Sequence, residues 1–312
     1  MTDYSLNALY EVIGITKQGV WDHFRREAAE LEMIREVIAQ VDARRAEHRG
    51  EGREKLYWQI KPDRMGRDKF CDMFMQLGYG VRRPANRMRT TIAAHKVFDN
   101  LIEGRLVSVP HQVWQSDITY IKVGGRFYYL TFIIDVYTRR IVGYAVSDNL
   151  RAEANIKALQ RALASVGCEQ LAGCVHHSDR GSQYTDGRYL KMLRAHHMPI
   201  SMGERAQDNA FAERVNGVIK NEYLIPRSLK TFRQLSYYSK QAVADYNTKR
   251  HYGSLRRCSP AEYEASWREL PTHKQKVEVI RSENTPNFLQ ASLQSNAFDT
   301  SCKYPYCTLH IN

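Results

Sequence analysis

Three runs rich in Val, Ile, Tyr and Phe follow one another in the middle of this chain: Val113 to Val123, Arg126 to Val136 and Arg140 to Val146. Gly124-Gly125 separates the first two and Tyr137-Thr138-Arg139 the second two. β-branched and aromatic residues fit a pleated, half-buried surface, and Gly-Gly supplies the positive φ that a tight hairpin needs. The pattern therefore predicts three consecutive strands joined by hairpins. The period then changes. Over Arg151 to Val166, Ile156, Leu159 and Leu163 share one helical face. A short strand from Cys174 to Ser178, a helix from Tyr184 to His197 and a fifth strand from Pro199 to Met202 come next. Helices over Asn209 to Tyr223 and Phe232 to Tyr246 complete the region.

That order predicts an α/β domain, a mixed five-stranded sheet with flanking helices, as in a ribonuclease H-like core. We place it at 107–265. The upstream part reads as helical. Leu9, Val12 and Ile13, then Val20 and Phe24, recur at helical spacing around Gly14 and a capping Thr16, the outline of a helix-turn-helix over 1–48. Leu56, Trp58 and Ile60, a turn at Pro62 to Gly66, and a helix from Arg67 to Leu77 ended by Gly78 make a second outline, which with a basic linker spans 49–106. Residues 266–312 form a C-terminal tail with no assigned role.

The chain has 312 residues and a formal charge of +12, which favours a polyanionic partner. It has no run of 18 apolar residues and no basic-then-apolar leader, so we expect no membrane association, a cytoplasmic location at the nucleoid, and nucleic acid as the polyanion. Six scattered cysteines include no CxxC pair. Cys302, Cys307 and His310 are loosely spaced like zinc ligands but lack a fourth, so no zinc site is expected.

Three carboxylates carry the chemical argument. Asp117 lies inside the first strand, where an acid is costly unless paired or bound to a cation. Asp179 ends the fourth strand, and ligands in α/β sheets bind at carboxyl ends of strands. Glu213 sits on the helix after Asp208-Asn209-Ala210. With the first and fourth strands adjacent and parallel, the three converge. Hard oxygen donors suit Mg²⁺ or Mn²⁺, and two such ions about 4 Å apart serve in-line displacement at phosphorus. Glu213, Asn216 and Lys220, at i, i+3 and i+7, share one helix face that could hold metal and DNA backbone together. Asp135, before Tyr137-Thr138, reads as a turn former, and Asp186 is a second acid outside the set. Of His176 and His177, at most one can face the carboxylates, because strand neighbours alternate.

These pieces resemble the integrase-type catalytic domain of bacterial insertion-sequence transposases, in the second-frame product of two-frame elements. Trp114-Gln115-Ser116-Asp117-Ile118-Thr119-Tyr120, Phe132 to Gly143, His177 to Tyr184, Asp208-Asn209-Ala210 with Ala212-Glu213, and Tyr246-Asn247 to Leu255 with Ser259 to Tyr263 carry the likeness. The resemblance implies Asp117, Asp179 and Glu213 as catalytic and metal-binding residues, with Mg²⁺-dependent strand cleavage and transfer at an element's ends. It implies helix-turn-helix recognition of terminal inverted repeats, target DNA as a second substrate and assembly as a homo-oligomer on DNA. The upstream-frame helix-turn-helix protein is a possible further partner. One departure is the 34-position gap from Asp179 to Glu213, slightly shorter than the family's usual. The shortfall is placed in the loop from Gly203 to Gln207; were it in the helix, Glu222 would be the fallback ligand.

Arg214 to Arg257 holds ten Lys or Arg against Glu222 and Asp245, a net of +8. With Lys249, Arg250 and His251 it reads as a DNA-backbone surface. Arg82, Arg83, Arg87 and Arg89, in a stretch without acids, read as a phosphate-tracking arm. Two other readings stand beside the transposase: a helix-turn-helix DNA-binding protein with an inactive core, and a ribonuclease H-type nuclease that cuts without joining.

Overall fold

The computed structural model describes residues 6–81, 98–167, 171–203, 206–271 and 274–280. Arg82, Arg83, Arg87 and Arg89 and the Cys302, Cys307 and His310 group lie outside the described residues. The chain divides into two compact units, Met1–Arg82 and Arg83–Asn312.

The first unit contains α1 (Leu6–Ile13), α2 (Lys17–Glu47), α3 (Arg53–Ile60) and α4 (Arg67–Gln76). Both expected turns are present. Gly14, at φ 69°, ends α1, and the Thr16 side chain caps α2 by accepting the Gly19 N–H at 3.0 Å. Gly78, at φ 82°, follows the last turn of α4. The length of α2 was not foreseen: its 31 residues span about 46 Å. Val37 and Val41 in its second half pack with Leu56, Met65, Phe70 and Phe74. Its first half carries Trp21, Phe24 and Leu31, all exposed, on a face about 130° around the helix from the packed one. Leu6, Leu9, Val12 and Ile13 of α1 are also exposed.

The second unit is built on a five-stranded sheet in the order β4-β3-β2-β5-β6. Its strands are β2 (Val113–Val123), β3 (Arg126–Asp135), β4 (Ile141–Ser147), β5 (Val175–Ser178) and β6 (Ile200–Met202). β2, β3 and β4 pair antiparallel, whereas β5 runs parallel to β2 and to β6. This is the ribonuclease H-like order expected. Gly124 and Gly125 both take positive φ, 55° and 86°, as the β2–β3 hairpin demands.

Strand alternation sorts side chains into two layers. On one face Ile121, Val123, Phe132 and Ile134 pack against α7 (Ala210–Val218) and α8 (Phe232–Thr248) through Val215, Leu235 and Tyr246. On the other, Trp114, Ile133 and Ala145 pack against α5 (Ala152–Val166) and α6 (Gly187–Ala195) through Leu159, Leu163 and Leu193. Here α5 comes so close that a Cβ on Gly143 would lie 2.2 Å from the Ala158 carbonyl oxygen.

Two boundaries differ from expectation for local reasons. The helix predicted from Tyr184 begins at Gly187, because Asp186 caps it by accepting the Arg188 N–H at 2.8 Å; Ser182–Thr185 form a separate 3₁₀ turn. The helix predicted to Tyr223 is α-helical to Val218 and then continues as a π-turn over Ile219–Leu224. After α9 (Pro260–Trp267), part of the unassigned tail returns to the core. β7 (Glu278–Val279) pairs antiparallel with β1 (Leu106–Val107), and Lys276 lies 5.1 Å from the Tyr137 ring centre and 5.6 Å from that of Tyr263. Among the described residues no helix is long and apolar enough to cross a membrane.

Candidate active site

The parallel pairing of β2 with β5 sets Gln115 against His177 and Ser116 against Ser178. The next residues along each strand are Asp117 and Asp179. Both therefore leave the sheet at the same level, on the face that packs against α7. The alternation that places them also separates the histidines. His177 lies on the carboxylate face, with Nδ1 2.8 Å from Ser201 Oγ and Asp208 beside it. His176 lies on the opposite face, 2.8 Å from the Tyr189 hydroxyl. Burial holds both rings well below the usual histidine range, to about 4 and about 3, so both are neutral at pH 7.

Asp117 accepts a hydrogen bond from Asn216 Nδ2 at 2.8 Å. Its carboxyl is pushed up to about 8, first by burial and then by the neighbouring charges of Asp179 and Glu213. The Asp179 carboxyl is raised by burial, opposed by the Gly181 N–H that it accepts at 3.1 Å. Tyr184 packs on the opposite face of the sheet, its hydroxyl 3.0 Å from Ser116 Oγ. Glu213 is in the first turn of α7 and is exposed. Among the described residues, no group of three His, Cys, Asp or Glu side chains is already gathered as a metal ion would need. The three carboxylates nevertheless oppose one another's ionisation at Asp117, and a divalent cation is the partner that relieves such repulsion. The donor set, all carboxylate oxygen with a neutral imidazole behind it, fits Mg²⁺ or Mn²⁺.

The expected companion face is partly assembled. Asn216 reaches Asp117 as described. Lys220, on the π-turn, has Nζ 4.8 Å from the Tyr120 ring centre, and burial lowers its pKa. Glu222, the fallback ligand, is engaged elsewhere: its two oxygens take both terminal nitrogens of Arg250 at 2.6 and 2.9 Å. This also corrects the expectation for Arg250. That residue is 2 % exposed, and its guanidinium is spent inside the fold on Glu222 and on the Tyr252 hydroxyl at 2.9 Å, not offered to a phosphate. Lys249 stays at the surface, 4.0 Å from Asp245, and His251 lies 3.9 Å from Glu262. Asp135 is the turn former: it accepts the Thr138 N–H at 2.9 Å, the Thr138 hydroxyl at 2.7 Å and the His111 N–H at 3.0 Å.

Gln115 had no assigned role in the sequence reading, yet it is fully buried and joins β2 to the start of α7. The available signal was its position: two residues before Asp117, it shares the acid's face of the strand.

Comparison with known proteins identifies the family. The family described as integrase core domain matches residues 108–207, and a second family with the same description matches residues 196–260. The transposase for insertion sequence element IS629 of Shigella sonnei is 30% identical over 226 residues, covering 70% of this chain and 75% of that protein. Transposase InsF for insertion sequence IS3A of Escherichia coli (strain K12) is 29% identical over 197 residues, 59% of this chain and 66% of that one. Among solved structures, the HTLV-2 integrase catalytic core domain in complex with magnesium aligns with a TM-score of 0.40 at 19% identity, over 50% of this chain and 97% of that one. By the first of these relatives, and with the sheet order and the paired carboxylates that precede it here, the chain belongs to the insertion-sequence transposases with an integrase-type catalytic core.

Proposed function

We propose that this transposase cuts and joins DNA at the edge where β2, β5 and the start of α7 meet, with Asp117, Asp179 and Glu213 as its metal-holding triad. The observation that carries the reading is the convergence of Asp117 and Asp179 at one level of the parallel β2–β5 pair, with the charges of Asp179 and Glu213 opposing the ionisation of the buried Asp117 carboxyl. When bound there, two Mg²⁺ or Mn²⁺ ions would sharpen the attacking oxygen and steady the leaving oxygen of an in-line displacement. The protein's own part is positional. Asp117 and Asp179 are fixed by strand register, Asn216 orients the Asp117 carboxylate, and Glu213 closes from the helix. The neutral His177 imidazole, wedged beside Asp208, buttresses the loop that leads into α7.

The substrates in this reading are the element's ends with their inverted repeats, bound through the N-terminal helical unit, and target DNA. Lys220 and Lys249 contact DNA phosphates in this reading, and so do Arg82, Arg83, Arg87 and Arg89 of the basic, acid-free stretch. Joining two ends requires at least two copies of the chain. The apolar stripe of Trp21, Phe24 and Leu31 supports association, since such a row at coiled-coil spacing is costly to leave in water. The upstream-frame helix-turn-helix protein is a further partner in this reading.

The test is strand cleavage and transfer on a DNA carrying the element's ends, in Mg²⁺. Joined products from wild type, lost in Asp117→Asn, Asp179→Asn and Glu213→Gln with DNA binding kept, are the expected result. Cleavage without joining would favour a nuclease, and binding without any cleavage would favour an inactive core.

A further inference from the structure

The start of α7 is capped in an unusual way. A helix leaves its first N–H groups without intrahelical partners, and the residue before it normally supplies a side-chain acceptor. Asn209 occupies that place and makes no cap bond. Its Nδ2 instead donates to the Ser116 carbonyl at 2.8 Å. The acceptor comes from the neighbouring strand: Gln115 Oε1 takes the Phe211 N–H at 3.1 Å and the Ala212 N–H at 3.2 Å. The same amide donates through Nε2 to the Asp208 carbonyl at 2.9 Å. Gln115 is fully buried. Its amide works in both directions, the oxygen accepting and the nitrogen donating.

These bonds tie the helix that carries Glu213 to the strand that carries Asp117, two residues from the acid. Asn216, one turn beyond, makes the second tie by donating to Asp117. Two ties, before and after Glu213, set both the height and the rotation of α7 against β2. The connecting loop, 203–207, thus need not set them, and a chain with a short Asp179-to-Glu213 gap can still present its glutamate at the right place.

We propose that Gln115 is a positioning residue for the third carboxylate, acting through the first turn of α7 to hold the backbone of Glu213 where its side chain can reach a divalent cation shared with Asp117 and Asp179. This rests on the triad reading above. Removing the acceptor lets the first turn of α7 fray, and Glu213 then closes on the ion less often. Cation affinity falls, while DNA affinity, which depends on other residues, does not.

The experiment measures Mn²⁺-induced thermal stabilisation and Mg²⁺ half-saturation of strand cleavage on the full chain, for wild type, Gln115→Met, Gln115→Glu and Glu213→Gln. Gln115→Met keeps volume and loses all three bonds. It should raise the cation concentration at half effect about tenfold or more in both readouts, with the KM for DNA unchanged. Gln115→Glu keeps the acceptor that the two N–H groups need and should retain more of the cation response than Gln115→Met. If Gln115→Met folds with a lower melting temperature but an unchanged cation response, the residue is merely structural and the proposal fails. If Gln115→Met is too unstable to study, Gln115→Glu decides: a cation response weaker than that of Glu213→Gln overturns the proposal. The triad reading fails separately, by Glu213→Gln keeping the wild-type response.

Discussion

Replacing Asp117 by Asn should abolish catalysis and, in the absence of divalent cations, stabilise the protein. The Asp117 carboxyl moves from an ordinary 3.8 to about 8 on folding, because burial and the charges of Asp179 and Glu213 penalise its ionised form. A group whose pKa rises on folding contributes stability that is complete below its unfolded value and is lost as pH climbs to the folded one. Wild type therefore loses stability steadily from pH 4 to pH 8. At pH 7 the upper bound of that loss is about 4 kcal/mol, at about 1.4 kcal/mol per pH unit. Asn carries no charge to bury and can still accept from Asn216 Nδ2 through its carbonyl oxygen. A net gain on the order of 1–3 kcal/mol, hence a melting temperature higher by roughly 3–10 °C at pH 8, is the expected outcome for a unit of this size. Thermal melts followed by circular dichroism in EDTA at pH 5 and pH 8 measure it. The gap should widen with pH, and added Mn²⁺ should narrow it by raising wild type alone. A variant that melts at or below wild type, with a gap indifferent to pH, would show that folding does not penalise the ionised Asp117.

Three further outcomes follow from particular contacts. Arg250→Met leaves the Glu222 carboxylate half-buried without its guanidinium, so about 3 kcal/mol of stability should go, seen in urea melts, with no change in cation affinity. Lys220→Ala removes one cation beside the triad helix, so the slope of log affinity against log salt for end DNA should fall by about one, measured by fluorescence anisotropy. Changing Trp21 and Phe24, both exposed on α2, to Glu should shift the sedimentation of the full chain to smaller species while leaving the catalytic unit's circular dichroism intact.

Much of the sheet was legible because its signals are local. Gly124-Gly125 marks a hairpin at any tertiary context, and the alternation along Val113 to Val123 places Asp117 on a definite face before any partner is known. The parallel register of β2 with β5 is not local, but the chain order of strands and helices restricts it. What escaped the sequence involves partners far apart in it. Arg250 sits in a basic stretch, and only the fold shows that Glu222, 28 residues upstream, draws it inside. Gln115 meets Phe211 and Ala212 across nearly a hundred positions, so no window could link them. The β1–β7 pair joins strands of two residues each, too short to leave a periodic signature. Glu213 is singled out by its neighbours Asp208-Asn209-Ala210, and the fold adds that Asp208 and the first turn of α7 are bonded to Gln115 of β2.

Glu213 is the proposed ligand that comes from a helix and not from a strand end, so the metal-holding triad is tested most directly there. The measurement is single-turnover strand transfer in Mg²⁺ by Glu213→Gln and by Glu222→Gln, beside wild type. Glu213→Gln should lose joined product by two orders of magnitude or more while binding end DNA as wild type does, and Glu222→Gln, once allowance is made for its stability, should still join. Joining that persists in Glu213→Gln and disappears in Glu222→Gln would contradict the triad.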